Sequence, residues 1–337
     1  MKYRKLGKTG LRVSEIGFGC GNVGGLMIRG THEDQVKAVG CAVELGINYF
    51  DTAAKYGNGQ SEINLGRVLK ELGPDVIVGS KVSLGEENLE DIKGAVQLSL
   101  KKSLERLNLD SIDLLQLHAR IASNRNDETW RGALSLEDVL GENGVADAFE
   151  SLKSQGLVRF VGFTGIGESA ALNRVIDSDR FDTVQSYFNL LNPSAGYQIP
   201  PGFVGYDFDR LIDRAAEREV GVLAIRVLAA GATGGASSRT GSAAPTVRGP
   251  MVPGGEYDRD EARVRQLGFL LSGDAASFPQ AAIRFALGHS GVSVVLVGVS
   301  SASQVEEAAA CSELGPLPEG AVEKLKALWA NNFKGGS

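Results

Sequence analysis

Polar side chains stand at the ends of several short apolar segments of the chain, where they could meet and carry out chemistry. Asp51, Lys81 and His118 each close such a segment, and Tyr56 follows Asp51 by five residues. Further polar residues close later apolar segments: Thr164, Gln185 and Arg226. Burying a polar group without a partner costs several kcal/mol, so we expect these side chains to contact one another or a ligand.

A tyrosine, a lysine, an aspartate and a histidine together are suited to proton transfer at a C–O group. A free phenol has a pKa of about 10 and burial raises it, whereas a nearby ammonium stabilises the phenolate. We therefore expect Lys81 to lower the pKa of Tyr56, and Asp51 to hold Lys81 in place and keep it protonated. His118 could donate a hydrogen bond to a substrate carbonyl. The matching hydride must come from a cofactor, because no side chain supplies one.

Short apolar segments recur along the chain with helical segments between them. Their residues do not alternate between apolar and polar, which is typical of strands buried on both faces of a parallel sheet. Eight such strands, each followed by a helix or loop, predict a (β/α)8 TIM barrel of the α/β class. The predicted strands lie near Glu15–Gly19, Ile47–Asp51, Val76–Lys81, Ile112–His118, Val158–Thr164, Thr183–Gln185, Val222–Arg226 and Val292–Gly298.

The segments between the predicted strands carry helical signals. Thr31 and Asp34 have the spacing of a capping box, which predicts the start of a helix. An apolar stripe at helical spacing predicts a long helix packed on the core. Its members are Leu89, Ile92, Val96, Leu100, Leu104 and Leu107.

We expect one barrel domain to take up residues 1–337, with an N-terminal β-hairpin over 1–14 and a frayed tail over 331–337. Two long insertions stand out, Ala119–Val145 after the fourth strand and Ala229–Gly255 after the seventh. Barrel active sites are built at the C-terminal ends of the strands, so both insertions are predicted to face the substrate. A mobile linker is the alternative for the second insertion.

The composition excludes several classes of protein. Of the 337 residues 43% are hydrophobic, which supports a sizeable core, and the net charge of −6 disfavours nucleic-acid binding. We expect no membrane span, no secretory signal and a cytoplasmic location, because no apolar run has the required length or position. Cys20, Cys41 and Cys311 are too few and scattered for a disulfide framework, and the three histidines and three cysteines lack metal-site spacing.

A second fold is compatible with one glycine motif. Gly19, Gly21 and Gly24 match a dinucleotide-binding fingerprint, which would suit a doubly wound sheet. Such a fingerprint opens a helix directly, whereas Leu26–Gly30 here precedes the predicted cap at Thr31. The barrel is therefore the favoured fold.

The candidate site residues also have structural interpretations. His118 could be a buried structural histidine, Tyr56 could be a surface tyrosine, and Thr164 and Gln185 could cap their strands. Their position at the ends of neighbouring barrel strands favours a functional role.

The same residues lie in segments by which the chain resembles the aldo-keto reductase superfamily over nearly its whole length. The matching segments are Arg4–Ser14, Gly46–Ala53, Tyr56–Gly57, Ser61–Gly66, the predicted strand that ends at Lys81, Leu100–Leu107, Asp113–His118 and Leu152–Gly162. The resemblance implies a catalytic tetrad of Asp51, Tyr56, Lys81 and His118. Tyr56 would then be the general acid in carbonyl reduction and the general base in alcohol oxidation.

The resemblance also implies a nicotinamide dinucleotide across the barrel mouth. Thr164 and Gln185 match positions that bind the carboxamide. The loop and helix near the adenosine phosphate would contribute Gly298, Ser300, Ser301, Gln304 and Glu307. Arg226 stands near the place of a usual aromatic residue and could reach a phosphate or the substrate.

The choice of cofactor depends on the loop after the last predicted strand. In the family this loop usually carries a Lys or Arg for the 2′-phosphate of NADP, whereas none occurs here between Gly291 and Glu323. Glu306 and Glu307 would repel that phosphate. We therefore expect NAD or NADP as the cofactor, with NAD favoured.

These departures resemble the branch of aldose and galactose dehydrogenases, which oxidise a sugar to a lactone with NAD. We therefore expect an NAD(P)-dependent oxidoreductase acting on CH–OH groups of a small sugar or carbonyl substrate, with aldose oxidation favoured. One alternative is an NADPH-dependent reductase of aldehydes or ketones. Another is a cofactor-binding accessory subunit without turnover. The sequence does not predict the oligomeric state.

Overall fold

The computed structural model describes residues 1–234, 241–244, 251–253 and 257–334. The chain begins with an antiparallel hairpin of strands β1 (Tyr3–Lys5) and β2 (Arg12–Ser14), joined through a 3-10 turn at Gly7–Thr9. The predicted N-terminal hairpin is therefore confirmed.

Eight parallel strands then close into a barrel, as their apolar sequences predict. These strands are β3 (Ile16–Gly19), β4 (Tyr49–Asp51), β5 (Ile77–Val82), β6 (Ile112–Leu117), β9 (Val158–Gly165), β10 (Thr183–Tyr187), β11 (Gly221–Ile225) and β12 (Val292–Gly298). Strands β7 (Ile121–Ala122) and β8 (Leu134–Ser135) pair with each other outside it. Each barrel strand pairs with the next, and β12 pairs with β3. This closed order excludes the doubly wound sheet that the glycine motif allowed.

The helices of the described residues connect the barrel strands and cover the outside of the barrel. They are α1 (Leu26–Arg29), α2 (His32–Glu44), α3 (Gln60–Leu72), α4 (Ile92–Leu107), α5 (Leu136–Leu140), α6 (Val145–Ser154), α7 (Ser169–Asp177), α8 (Leu211–Glu217), α9 (Tyr257–Arg265), α10 (Phe278–Leu287), α11 (Ala302–Leu314) and α12 (Glu319–Ala330). None of them has the length and apolarity that crossing a membrane requires.

Local sequence explains where two of these helices begin. The Thr31 hydroxyl accepts a hydrogen bond from the Asp34 amide at 3.2 Å, which confirms the predicted cap of α2. Asp91 caps α4 in the same way through the Gly94 amide at 2.8 Å. The apolar stripe of α4 packs on the core as predicted, with Ile92, Val96, Leu100 and Leu107 buried.

A separate apolar cluster fills the interior of the barrel. It consists of Leu6, Val13, Tyr49, Leu114, Leu223, Val294 and Leu296. Leu6 and Val13 come from the hairpin, which therefore closes the end of the barrel opposite the strand C-termini. Gly7 has a φ of +49°, and a Cβ there would lie 2.2 Å from the Gly221 nitrogen. Only glycine allows the hairpin turn to pack this closely against the start of β11.

The insertion Ala119–Val145 is more regular than its polar sequence suggested. It contains β7, β8 and α5, and Trp130 is buried with its ring edge-on to Tyr206 at a centroid distance of 4.9 Å. The Arg125 Nε atom donates to Asp138 at 2.8 Å, and Asp138 also caps α5. Buried contacts of Trp130 and Asp138 therefore hold this segment in a regular structure, although its composition is typical of a loop.

The insertion Ala229–Gly255 lies only partly among the described residues, because 235–240, 245–250 and 254–256 fall outside them. Its first part forms a 3-10 segment, Ala229–Gly234. Further on, the Ala244 amide donates to the Val23 carbonyl at 2.9 Å. This part of the insertion therefore rests on the loop after β3, beside the barrel mouth.

The tail that we expected to fray from residue 331 is packed over its described part. Phe333 is buried, and the Arg263 guanidinium lies 4.9 Å from its ring centroid. The Asn332 side chain donates to the Gly202 carbonyl at 2.7 Å. One aromatic side chain is enough to hold these residues, while 335–337 lie outside the described residues. That 1–337 form one domain stays a prediction.

Candidate active site

The four side chains predicted to act together meet at the C-terminal end of the barrel. Asp51 closes β4, and Lys81 is the penultimate residue of β5. His118 directly follows β6, and Tyr56 lies in the loop after β4. Because parallel strands bring their C-terminal ends to one rim, residues far apart in sequence become neighbours there.

The Lys81 ammonium uses all its hydrogen-bond donors within this group. It donates to Asp51 Oδ2 at 2.5 Å, to the Thr52 carbonyl at 2.8 Å and to Tyr56 Oη at 3.3 Å. A lysine ammonium has three donors and no acceptor, so the Tyr56 oxygen must accept in the third contact. The phenol proton of Tyr56 consequently points away from Lys81.

Burial and charge act in opposite directions on the pKa values of this pair. Burial alone would lower the pKa of Lys81, but the adjacent Asp51 carboxylate outweighs it and raises that pKa. Burial raises the pKa of Tyr56, and the opposing charge of Lys81 does not cancel this effect. Lys81 does act to lower the pKa of Tyr56, as we expected, but our expectation that the pKa would fall below its ordinary value is wrong. Desolvation of the phenolate is the larger effect, so Tyr56 is a protonated phenol at neutral pH.

His118 stands over the phenol as a neutral imidazole. Its ring lies edge-on to that of Tyr56, with centroids 5.8 Å apart and planes at 85°. Burial, helped by the charge of Lys81, lowers the pKa of His118 to about 3. The Nδ1 atom is buried and has no hydrogen-bond partner among the described residues. A neutral imidazole can donate one hydrogen bond to a substrate oxygen without adding charge.

The other oxygen of Asp51 accepts hydrogen bonds from buried side chains. Gln185 donates to Oδ1 at 2.7 Å, Gln116 at 3.2 Å and the Tyr49 hydroxyl at 3.4 Å. Our interpretation of the sequence did not include Gln116 or Tyr49. Both left a signal, because Gln116 is a polar residue in an apolar strand and Tyr49 lies on the same face of β4 as Asp51.

Two residues predicted at a cofactor carboxamide lie side by side on the barrel rim. Gln185 uses one N–H for Asp51, and its amide makes no other hydrogen bond within the described part of the chain. Thr164 is the register partner of Gln185 in β9, and its hydroxyl is buried without a partner there. A ligand amide at this rim would satisfy polar atoms that have no partner among the described residues.

A cavity of about 240 Å³ lies between the loops at this end of the barrel. Most of the predicted adenosine-side residues line it, namely Gly298, Ser300, Gln304 and Glu307, and Arg226 lines it as well. Gly24 lines it from the loop after β3, and a Cβ there would lie 2.4 Å from the Val299 nitrogen. The backbones therefore approach each other closely along one wall, as a site for an extended ligand requires.

Ser301 does not line this cavity, so its predicted contact with the cofactor stays a prediction. Its hydroxyl caps α11 by accepting from the Gln304 amide at 3.4 Å. The Gln304 side-chain oxygen in turn accepts from the Ser300 amide at 2.8 Å. The helix-start geometry therefore assigns Ser301 to capping, with Ser300 and Gln304 facing the cavity.

Arg226 contributes an unpaired cation to the cavity. The residue is half-buried, and its guanidinium makes no hydrogen bond or ion pair with any residue that the structure describes. Burial lowers its pKa. The acidic residue on the cavity wall, Glu307, accepts a hydrogen bond from Ser277 at 2.5 Å. A half-buried guanidinium without a partner is unfavourable unless an anionic group of a ligand meets it.

These features fit a nicotinamide dinucleotide. The unpaired Thr164 hydroxyl and the remaining Gln185 groups suit a carboxamide, and Arg226 suits a diphosphate. Among the described residues, no group of three or more His, Cys, Asp or Glu side chains could hold a metal ion.

Comparison with known proteins agrees with this geometry. L-galactose dehydrogenase from Arabidopsis thaliana is 30% identical over 326 residues, covering 94% of this chain and 90% of that protein. The structure of aldo-keto reductase AKR11C1 from Bacillus halodurans in its holo form has a TM-score of 0.70 at 26% identity, covering 97% and 96% of the two chains. An aldo-keto reductase from Klebsiella pneumoniae in complex with NADPH shares the fold at a TM-score of 0.66 and 20% identity, covering 98% and 95%.

A family model extends the similarity to the sequence as a whole. Residues 15–330 match the model described as the Aldo/keto reductase family. This match spans the barrel, the four clustered side chains and the cavity. The chain therefore belongs to the aldo/keto reductase family of NAD(P)-dependent oxidoreductases.

Proposed function

We propose that the protein oxidises an aldose or a related sugar at its anomeric CH–OH group, with Tyr56 as the acid–base residue and NAD as the favoured cofactor. The observation that carries the acid–base assignment is the 3.3 Å contact between Lys81 Nζ and Tyr56 Oη at the barrel rim. In this contact the phenol oxygen accepts a hydrogen bond from the Lys81 ammonium. The phenol proton is therefore directed away from Lys81.

The proposed chemistry assigns a distinct task to each side chain of the group. In oxidation the phenolate of Tyr56, which Lys81 stabilises, accepts the hydroxyl proton of the sugar as the C=O bond forms and becomes the neutral phenol. Asp51 keeps Lys81 charged, and neutral His118 donates a hydrogen bond that orients the reacting oxygen. When bound, the cofactor supplies the nicotinamide ring that takes the hydride from the sugar carbon.

The name of a relative that matches nearly the whole chain supports a sugar as the substrate. L-galactose dehydrogenase is similar to this chain over 94% of the residues of this chain. The polar groups at the mouth allow a sugar, since the Arg226 guanidinium and the neutral His118 imidazole offer donors to neutral hydroxyl oxygens.

The cavity supports NAD over NADP. Glu307 of α11 lines the cavity on the side where we place the adenosine, and the other lining residues of the β12–α11 loop and of α11 are neutral. A 2′-phosphate there would face a carboxylate with no cation from the same segment, since Arg226 is assigned to the diphosphate, whereas the hydroxyl of NAD could donate to Glu307.

Both directions of the reaction use the same four residues, and the raised pKa of Tyr56 favours proton donation. Carbonyl reduction is therefore the second candidate, because a protonated phenol is ready to act as an acid at neutral pH.

A substrate screen tests the proposal. The purified protein is given a panel of aldoses with NAD or NADP, and a panel of aldehydes and ketones with NADH or NADPH. Cofactor absorbance reports turnover, and Tyr56→Phe identifies contaminating activity. We expect sugar oxidation with NAD and a lactone product. Turnover confined to NADPH and simple carbonyls would reject sugar oxidation, and cofactor binding without any turnover would point to an accessory role.

A further inference from the structure

We infer that Gln116 is a positioning residue for the acid–base pair, acting on Lys81 and Tyr56 through Asp51. This inference rests on the proposed role of Tyr56 and extends it to a residue inside the barrel wall. Gln116 is fully buried in β6, where the strand register places it opposite Lys81. Its amide donates to Asp51 Oδ1 at 3.2 Å.

The two oxygens of Asp51 have different tasks. Lys81 binds Oδ2, whereas Gln116, Gln185 and Tyr49 all donate to Oδ1. Neutral donors on Oδ1 disperse part of the carboxylate charge without competing for the cation on Oδ2. They also fix the carboxylate plane, and therefore the position of the ammonium. Lys81 can then direct its third N–H at Tyr56 instead of moving towards Asp51.

The side-chain oxygen of Gln116 indicates that packing alone does not explain a glutamine at this position. Its Oε1 atom is buried and has no hydrogen-bond partner among the described residues. A buried acceptor without a partner is unfavourable, and a methionine of similar shape would fill the space without it. The favourable contact of the amide within the described residues is the one to Asp51.

Gln116 and Gln185 differ in what else they can reach. Gln185 sits beside the unpaired Thr164 hydroxyl on the rim, so it can serve both Asp51 and a cofactor amide. Gln116 lies between Lys81 and Gly162 in the strand register, within the wall. Substitution of Gln116 should therefore change the acid–base pair and leave cofactor binding near normal.

The effect on Tyr56 has a definite sign. The negative charge of Asp51 raises the pKa of Tyr56, and the hydrogen bond from Lys81 lowers it. Losing the Gln116 donor strengthens the first influence and weakens the second, so the pKa of Tyr56 should rise further. The ionisable groups around Tyr56 are Asp51, Lys81, His118, Cys20, Tyr49 and Arg226.

The test compares Gln116→Met with Thr183→Val. Thr183 lies across Gly162 from Gln116, and its buried hydroxyl also lacks a partner in the described residues, but it makes no contact with Asp51. For Gln116→Met we expect kcat to fall about tenfold, with the dissociation constant of the reduced cofactor changed less than about twofold and the melting temperature maintained. Thr183→Val should keep the wild-type kcat.

A second measurement needs no substrate. In protein labelled with ¹³C at the tyrosine ζ carbons, the Tyr56 resonance is assigned from Tyr56→Phe and followed as pH rises without cofactor. We expect its displacement to begin at higher pH in Gln116→Met and at the wild-type pH in Thr183→Val. An unchanged titration in Gln116→Met, or the same change in both variants, would overturn the inference. A changed titration in a protein that oxidises no sugar would uphold it and count against the proposed substrate.

Discussion

Lys81 Nζ lies 3.3 Å from the hydroxyl oxygen of Tyr56 and 4.7 Å from the centre of its ring. The ammonium is thus beside the polar end of the phenol, where it stabilises the oxygen both as a hydrogen-bond donor and as a charge. The same ammonium is anchored by Asp51 at 2.5 Å. Lys81 therefore offsets part of the effect that burial has on the pKa of the proposed acid, Tyr56.

Removing the phenol oxygen should remove turnover and little else. Tyr56→Phe is expected to lower kcat by about 10²–10⁴-fold, the usual contribution of a positioned acid or base. Cofactor affinity, measured by fluorescence titration, should stay within about twofold. Tyr3→Phe is the matched control, because Tyr3 is exposed and donates to the Gly46 carbonyl far from the rim. Wild-type turnover by Tyr56→Phe would place the acid elsewhere.

Removing the buried cation should destabilise the fold as well as the reaction. Lys81→Met leaves the Asp51 carboxylate buried without its cation, which costs about 3–5 kcal/mol of unfolding free energy. Lys326→Met removes a cation from an exposed pair with Glu323 and should cost less than about 1 kcal/mol. Denaturant titration of both variants measures the difference. Equal losses would show that the Asp51–Lys81 pair is no more important to the fold than a surface pair.

The raised pKa of Tyr56 predicts opposite pH profiles for the two directions. Alcohol oxidation needs the phenolate of Tyr56 to take up the substrate proton, so kcat should increase as pH rises towards and past 10, the ordinary pKa of a tyrosine. Carbonyl reduction uses the protonated phenol, so its kcat should stay constant until the pH approaches the raised pKa of Tyr56. Rates measured in both directions from about pH 6 upwards test this. An oxidation optimum near neutrality would contradict a raised pKa.

His118 predicts an acid-dependent loss of stability. Its pKa is about 3 in the folded protein against an ordinary 6.5, so the unfolded chain binds the proton more tightly. The contribution of His118 to stability is therefore fully present above pH 6.5, the ordinary pKa. It decreases as the pH falls below 6.5, and the decrease ends below about pH 3, the pKa in the folded protein. His118→Gln should flatten this fall in melting temperature, while His32→Gln, which removes an exposed partner of Glu71, should leave it in place. Matching slopes for wild type and His118→Gln would refute the assignment.

Charge reversal on the cavity wall should change cofactor preference. Glu307→Lys replaces a carboxylate by an ammonium where the 2′-phosphate of NADP would lie, and we expect NADP affinity relative to NAD to increase about tenfold. Glu313→Lys makes the same charge change at an exposed position of α11 away from the cavity. It should leave the ratio unchanged. Similar shifts in both variants would indicate a general charge effect.

Much of the fold follows from local sequence. The apolar strands ending in Asp51 and Lys81 are short and do not alternate, which suffices for a buried parallel sheet because both of its faces must be covered. Thr31 marks the start of α2 through a cap that involves neighbours in sequence. The tetrad could be located from the sequence for the same reason, since polar residues at the C-terminal ends of parallel strands share one rim.

Contacts between distant segments decided the remainder. The sequence placed Gln185 at the rim, but only the closed barrel brings its amide within 2.7 Å of Asp51, 134 residues earlier. Gln116 stood out only as a polar residue in an apolar strand, and its contact with Asp51 forms only when the barrel closes. The direction of the Tyr56 pKa shift depends on how strongly the phenol is desolvated in the folded protein. The spacing of residues in the sequence does not indicate the extent of this desolvation.

The sequence by itself therefore determined the barrel, its hairpin and the side chains that meet at its rim, because these depend on periodicity, capping and strand order. Tertiary structure alone decided which donors hold Asp51 and that Tyr56 stays a protonated phenol. These outcomes depend on distances and desolvation, which exist only once the chain has closed around the site.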